Sequence, residues 1–122
     1  MKQRLFALIL LLTLAGAAPA QTASRALLQA VTTTGAGAAN QLLALNSSYM
    51  ASVTGTGAVS ASVNIEVSNN PAVGWNVLAT LALSGTTSAF TGTTSAASWA
   101  YVRGNVTALS GTGAAVTLNV YP

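Results

Sequence analysis

The chain has 122 residues, of which 52% are hydrophobic and 4% are charged, and it contains no Cys and no His. This length fits one domain at most. Because Glu66 is the only acidic residue, the composition excludes a Ser-His-Asp or Cys-His catalytic group and a glycosidase that uses paired carboxylates. The sequence therefore predicts that the protein is not an enzyme and has no catalytic residues.

The first 20 residues match a secretory signal peptide. Lys2 and Arg4 precede an apolar run, and the small-residue sequence Ala-Pro-Ala ends at Ala20. This pattern predicts a signal helix that is cleaved after Ala20, which leaves a single domain, 21–122, that is secreted, periplasmic or on the cell surface. An uncleaved membrane anchor is the alternative, but the apolar run is shorter than the roughly 20 residues that a spanning helix needs. After cleavage, no membrane contact is expected.

Few charges remain in 21–122. They are Arg25, Arg103 and Glu66, which give a net charge of +1. Nucleic-acid binding is not expected, because it needs several basic side chains on one surface. The chain lacks the usual ligands of zinc and the carboxylate cluster of a calcium site. The composition thus predicts no cofactor and no metal.

Several short strands are predicted in the first half of this domain. The segments "RALLQAVTTT" and "YMASVTG" are strand candidates, and "NQLLALN" is a third between them. The clearest is "AVSASVNIEVS", 58–68, in which apolar residues alternate with polar ones. This period of two is typical of a strand with one face in the core.

The second half continues the pattern. "SNNPAVG" reads as a loop, and 75–84 resumes the alternation with five residues predicted to face inward, although Leu78 breaks it and indicates a bulge or a second buried face. Those five are Trp75, Val77, Ala79, Leu81 and Leu83. The Ser/Thr/Gly-rich segment 84–98 predicts a turn, a short edge strand around Phe90 and another loop. Two further strands follow, "WAYVRGNVTAL" and "AAVTLNVY".

These elements predict an all-β fold. Six to eight short strands, with turn signals every 8 to about 12 residues, favour an antiparallel β-sandwich that is Ig-like or jelly-roll-like. A Gly-x-Gly-Ala motif recurs at Gly35, Gly55 and Gly111. No copy precedes a helical pattern, so hairpin connections are favoured over a phosphate-binding loop.

Glu66 and Arg103 each lie on the polar face of a predicted strand. If the two strands are neighbours, the side chains meet as a structural ion pair, which contributes about 0.2–1 kcal/mol if it is exposed. The alternative is that Arg103, with Trp99 and Tyr101 on the same face, forms a binding surface for an acidic or sugar ligand.

The aromatic side chains leave a similar choice. Trp75, Trp99 and Tyr101 are candidates for a ligand or protein interface, and Trp75, in the loop before its strand, is the candidate expected to be most exposed. A planar row of exposed rings would favour carbohydrate binding. Buried rings beside a flat edge strand would favour assembly with protein partners or with copies of the chain.

Two blocks of sequence carry a resemblance to a known group. "GTGAVSASVNIEVSNNPAVGWNVLATLALSG" and "WAYVRGNVTALSGTGAAVTLNV" resemble small β-sandwich proteins of tailed phages, prophages and bacteria, over about 31–120. That resemblance implies a virion-associated or other structural role without catalysis. The chain departs from the group in having "NNPAVG" where an Asp-Gly turn is expected, and in its signal sequence, which favours an exported, host-encoded relative.

The sequence thus predicts a non-enzymatic, exported structural or assembly module on a cell surface or a virion-like particle. A carbohydrate- or surface-binding β-sandwich that uses exposed aromatic rings is the alternative.

Overall fold

The computed structural model describes residues 24–42 and 46–121, which form nine β-strands and no helix. The predicted signal helix lies outside these residues. No helix that could cross a membrane occurs in the described ranges. The strands are β1 (Arg25–Val31), β2 (Gly35–Ala36), β3 (Asn40–Gln41), β4 (Ser47–Thr54), β5 (Val59–Ser68), β6 (Asn76–Gly85), β7 (Ser88–Ser95), β8 (Tyr101–Ser110) and β9 (Ala115–Tyr121).

The strands form two antiparallel sheets. Sheet 1 has the order β1-β9-β4-β7, and sheet 2 has the order β2-β8-β5-β6, with β3 also paired to β8. The prediction of an all-β, antiparallel fold is therefore confirmed. The predicted count of six to eight strands is too low by one, because β2 has only two residues and is too short to show an alternation in the sequence. β3 also has two residues, but it lies within the predicted candidate "NQLLALN".

The core lies between the sheets and consists of the inward residues of the alternating strands. Ile65, Val63 and Val53 are fully buried, as are Val116 and Leu118. Burial of each such side chain contributes about 1.5–3 kcal/mol. Tyr49 of β4 is also buried, and this burial raises the pKa of its hydroxyl above the usual value. The predicted inward faces of 58–68 and 114–121 thus form the centre of the core.

Leu78 lies at a β-bulge in β6. Ala79 is opposite Ile65, but the next pair joins Val77 to Glu66, so Leu78 is an extra residue. Leu78 and Ala79 both pack against the core, whereas Val77 is 56% exposed. The prediction that Val77 faces inward is therefore wrong, because the bulge reverses the alternation of the residues before it.

Two of the three Gly-x-Gly-Ala copies form connections between the sheets. The first, 55–58, joins β4 to β5, and the second, 111–114, joins β8 to β9. The two turns are adjacent, since the amide of Thr56 donates to the carbonyl oxygen of Thr112 at 2.9 Å. Gly57 and Gly113 have positive φ values of 96° and 65°, which glycine adopts without a steric cost. These turns link the two sheets, so the prediction of hairpins within one sheet is wrong.

Candidate functional site

The two charged residues of the central strands of sheet 2 meet on its outer face. Glu66 of β5 is directly opposite Arg103 of β8. The Nε group of Arg103 donates to Oε2 of Glu66 at 3.1 Å, and the Arg103 and Glu66 side chains are 25% and 10% exposed. Their neighbours Val67 and Val102 are buried on the core side. The ion pair therefore lies outside the core but is largely shielded from water.

The second carboxylate oxygen of Glu66 is also engaged. Nδ2 of Asn105 donates to Oε1 of Glu66 at 3.3 Å. Asn105 lies two residues after Arg103 on β8, so the alternation of the strand places both donors on the same face. Both oxygens thus have a partner, which makes the carboxylate an anchor between two strands.

Trp75 covers this pair. The guanidinium carbon of Arg103 lies 4.3 Å from the centre of the Trp75 ring, which is a cation–π contact. Like Trp99 and Tyr101, Trp75 is half-buried. The segment 69–75, here called the Trp75 loop, folds back over the sheet face and places the indole on Arg103.

Hydrogen bonds within the Trp75 loop give it a defined shape. The hydroxyl of Ser68 donates to the carbonyl oxygen of Gly74 at 2.6 Å and accepts from the amide of Asn70 at 3.0 Å. The carbonyl oxygen of Asn70 accepts from the amides of Val73 and Gly74, and its Oδ1 accepts from the amide of Ala72 at 3.2 Å. The side chain of Asn70 therefore forms the local turn that its residue type favours.

A cavity of about 370 Å³ lies beside this loop. Trp99, in the segment before β8, contributes one side of it. The Trp75 loop and its flanking residues contribute the rest. The lining residues are Ser68, Asn69, Asn70, Val73, Gly74, Trp75, Asn76 and Trp99. Trp75 and Trp99 thus meet at one cavity, whereas Tyr101, which is half-buried on the same sheet, does not line it.

The three asparagines of the cavity were missed by sequence reasoning. Asn69, Asn70 and Asn76 flank Trp75 within eight positions, and in the sequence they read as ordinary loop residues. The clustering of three asparagines around Trp75 in the sequence could have identified them as candidate binding residues. Their contact with Trp99 could not be inferred without the fold.

The polar groups that line the cavity are amides, indole N–H groups and a hydroxyl. In the described part of the chain, no three His, Cys, Asp or Glu residues are grouped as a metal site would need. Both oxygens of Glu66 are hydrogen-bonded, and the cavity is lined by uncharged residues. The chemistry that the site offers is recognition through indole rings and amides.

A second candidate surface lies on the outer face of sheet 1. Met50, Phe90 and Tyr121 are exposed there, and Phe90 has 77% of its surface accessible. Phe90 belongs to β7, which is at the edge of the sheet. Its cross-strand partner is Ser52, so Phe90 and Met50 are diagonal neighbours across β4 and β7.

No protein-family model, curated protein or solved structure matches this chain.

Proposed function

We propose that the protein is an exported, non-enzymatic structural module that assembles with copies of itself through the edge of β7. The observation that carries this proposal is the difference between the β7 edge and the other edges of the sandwich. An edge strand leaves backbone amides and carbonyls unpaired, and proteins that stay monomeric usually block such edges.

The β7 edge has none of the usual blocking features. Its eight residues, Ser88–Ser95, contain no charged residue and no Pro. The strand pairs with β4 over its whole length without a register shift. It is therefore a regular, uncharged strand with one side open among the described residues.

The remaining edges are interrupted or short. β1 has two register shifts along β9 and begins at the charged Arg25. β2 and β3 have two residues each, and β6 is bent by the bulge at Leu78. Bulges, short strands and charges are the devices that prevent edge-to-edge pairing, so β7 is the edge on which association is favoured.

A second copy of the chain is the partner that suits this edge. Phe90 offers an exposed apolar side chain on β7, and the charged residues of the described chain, Arg25, Glu66 and Arg103, all lie on other strands. Two copies can therefore align their β7 edges without repulsion between charges.

The strand order supports the jelly-roll version of the sandwich. If β2 and β3 are one interrupted strand, each sheet has four strands, and apart from β5 and β6 no two neighbours in a sheet are consecutive in the chain. Jelly rolls occur in viral capsid domains and in lectins, but a fold alone does not assign a function. The signal pattern of the first 20 residues supports secretion to the periplasm or the cell surface, with a virion-associated location as the alternative.

A charge placed on the β7 edge should prevent the assembly. We expect size-exclusion chromatography with light scattering to show a mass above that of the monomer for the chain 21–122. Phe90→Lys should yield a monomer with an unchanged fold, because Phe90 is an exposed residue of β7 and a lysine on an edge strand disfavours pairing with another strand. Ser60→Lys adds the same charge on an exposed position of β5 and should leave the assembly intact. A wild-type chain that is monomeric at all concentrations would refute the proposal.

A further inference from the structure

We propose that the cavity between the Trp75 loop and Trp99 binds a neutral saccharide. This function is separate from assembly, because the cavity lies on sheet 2 and the β7 edge belongs to sheet 1. The volume of about 370 Å³ is within the range of small-molecule sites, roughly 300–1,000 Å³.

The two indoles supply apolar contact for a sugar ring. A saccharide has faces of C–H groups that pack against aromatic rings and edges of hydroxyl groups that form hydrogen bonds. Trp75 and Trp99 both line the cavity, and each combines a large apolar surface with one N–H donor. This combination suits a ligand that is apolar on its faces and polar at its rim.

The amides supply donors for the hydroxyl groups. Oδ1 of Asn69 accepts from the amide of Ala100, and Oδ1 of Asn70 accepts from that of Ala72. These bonds fix the orientation of both side chains, and neither Nδ2 group has a partner in the described ranges of the chain. Their donors therefore remain for an oxygen acceptor.

Within 24–42 and 46–121, the indole N–H of Trp99 lacks a hydrogen-bond acceptor, which is a separate indication of a ligand. Its Nε1 atom is buried, and no hydrogen-bond acceptor for it occurs among the residues that the structure describes. Buried donors are almost always paired, with protein or with another molecule. Because this atom has almost no solvent-accessible surface, a saccharide oxygen in the adjacent cavity reaches the donor only if the indole of Trp99 shifts toward the cavity on binding.

The electrostatics of the site select a neutral ligand. Glu66, the nearest acid, is bound by Arg103 and Asn105, and the guanidinium of Arg103 is stacked on Trp75. Neither charge lines the cavity. The ion pair instead holds Trp75 in place, which reduces the entropy lost when a ligand binds.

The test is a titration of the purified protein with defined sugars. The probes are glucose, galactose, N-acetylglucosamine and their short oligomers, with glucuronic acid as the charged comparison. Binding is measured by isothermal titration calorimetry and by saturation-transfer NMR. We expect saturable binding of at least one neutral sugar. Trp75→Ala and Asn76→Ala should each weaken it by about tenfold or more, while Phe90→Ala, an aromatic deletion on sheet 1, should not change it.

Trp99→Phe separates binding from folding. It keeps an aromatic ring but removes the unpaired Nε1 donor, so binding should weaken while the melting temperature is maintained. The proposal is wrong if no neutral sugar binds, if binding survives Trp75→Ala and Asn76→Ala, or if glucuronic acid binds more tightly than the neutral sugars. The monomeric Phe90→Lys variant should still bind, so a failure of the assembly proposal would leave this result intact.

Discussion

Glu66→Ala is expected to lower the free energy of unfolding by about 3 kcal/mol. The substitution removes the acceptor for both Arg103 and Asn105 and leaves a guanidinium without its partner beneath Trp75. An exposed pair would contribute much less, but the Glu66 side chain is only 10% exposed. Urea denaturation of the wild-type and variant chains measures the difference, and Glu66→Gln, which keeps the shape and loses the charge, should be intermediate.

Arg103→Ala should lower the free energy of unfolding through the loss of the same ion pair as Glu66→Ala. Because both variants break the same contact, the double variant should be less destabilised than the sum of the two, by about 0.5–3 kcal/mol. Arg103→Lys keeps the charge but cannot stack as a planar group, so it should release Trp75 and change its fluorescence. Full additivity would show that the pair contributes nothing to stability, and the binding interpretation of Arg103 would then be favoured.

Gly104→Val is expected to destabilise the domain by about 3 kcal/mol, at the upper end of the usual cost of overpacking. Gly104 faces the core on β8. A β-carbon there would lie 2.7 Å from Cδ1 and Cγ of Leu28 and 2.8 Å from Cδ2 of Leu118. Both leucines belong to sheet 1, so the absence of a side chain at Gly104 sets how closely the two sheets approach.

Gly74→Ala is the matched control for this prediction. A β-carbon at Gly74 would meet no atom within 4 Å, so its effect on stability should stay within about 0.5 kcal/mol. The destabilisation caused by Gly104→Ala should lie between those caused by Gly104→Val and Gly74→Ala. Equal melting temperatures for Gly104→Val and the wild type would mean that the sheets are not packed as closely as described here.

The alternation of polar and apolar residues predicts much of this fold. Segment 58–68 becomes β5, and its inward residues, such as Val63 and Ile65, are fully buried. The composition also identifies Glu66 as the sole acidic partner for Arg103, because it contains no other acidic side chain. Local periodicity is informative here, since each of the longer strands, such as β4, β5 and β9, has one face in a shared core.

Features that depend on distant residues could not be predicted. The burial of Glu66 on a polar face results from the return of the Trp75 loop over Arg103. The exposure of Val77 results from the bulge at Leu78, since the break in the pattern left two interpretations open. The cavity requires Trp99 to meet a loop more than twenty positions earlier in the chain, and no local signal encodes that contact.

The most direct test of assembly through the β7 edge is amide hydrogen exchange, detected by NMR at increasing protein concentrations. β7 amides that do not bond to β4 should exchange rapidly in the dilute monomer and become protected when the oligomer forms. Phe90→Lys should abolish this protection at every concentration. If the oligomer forms while these amides keep exchanging at the monomer rate, or if the chain never associates, the proposed role of the β7 edge is contradicted.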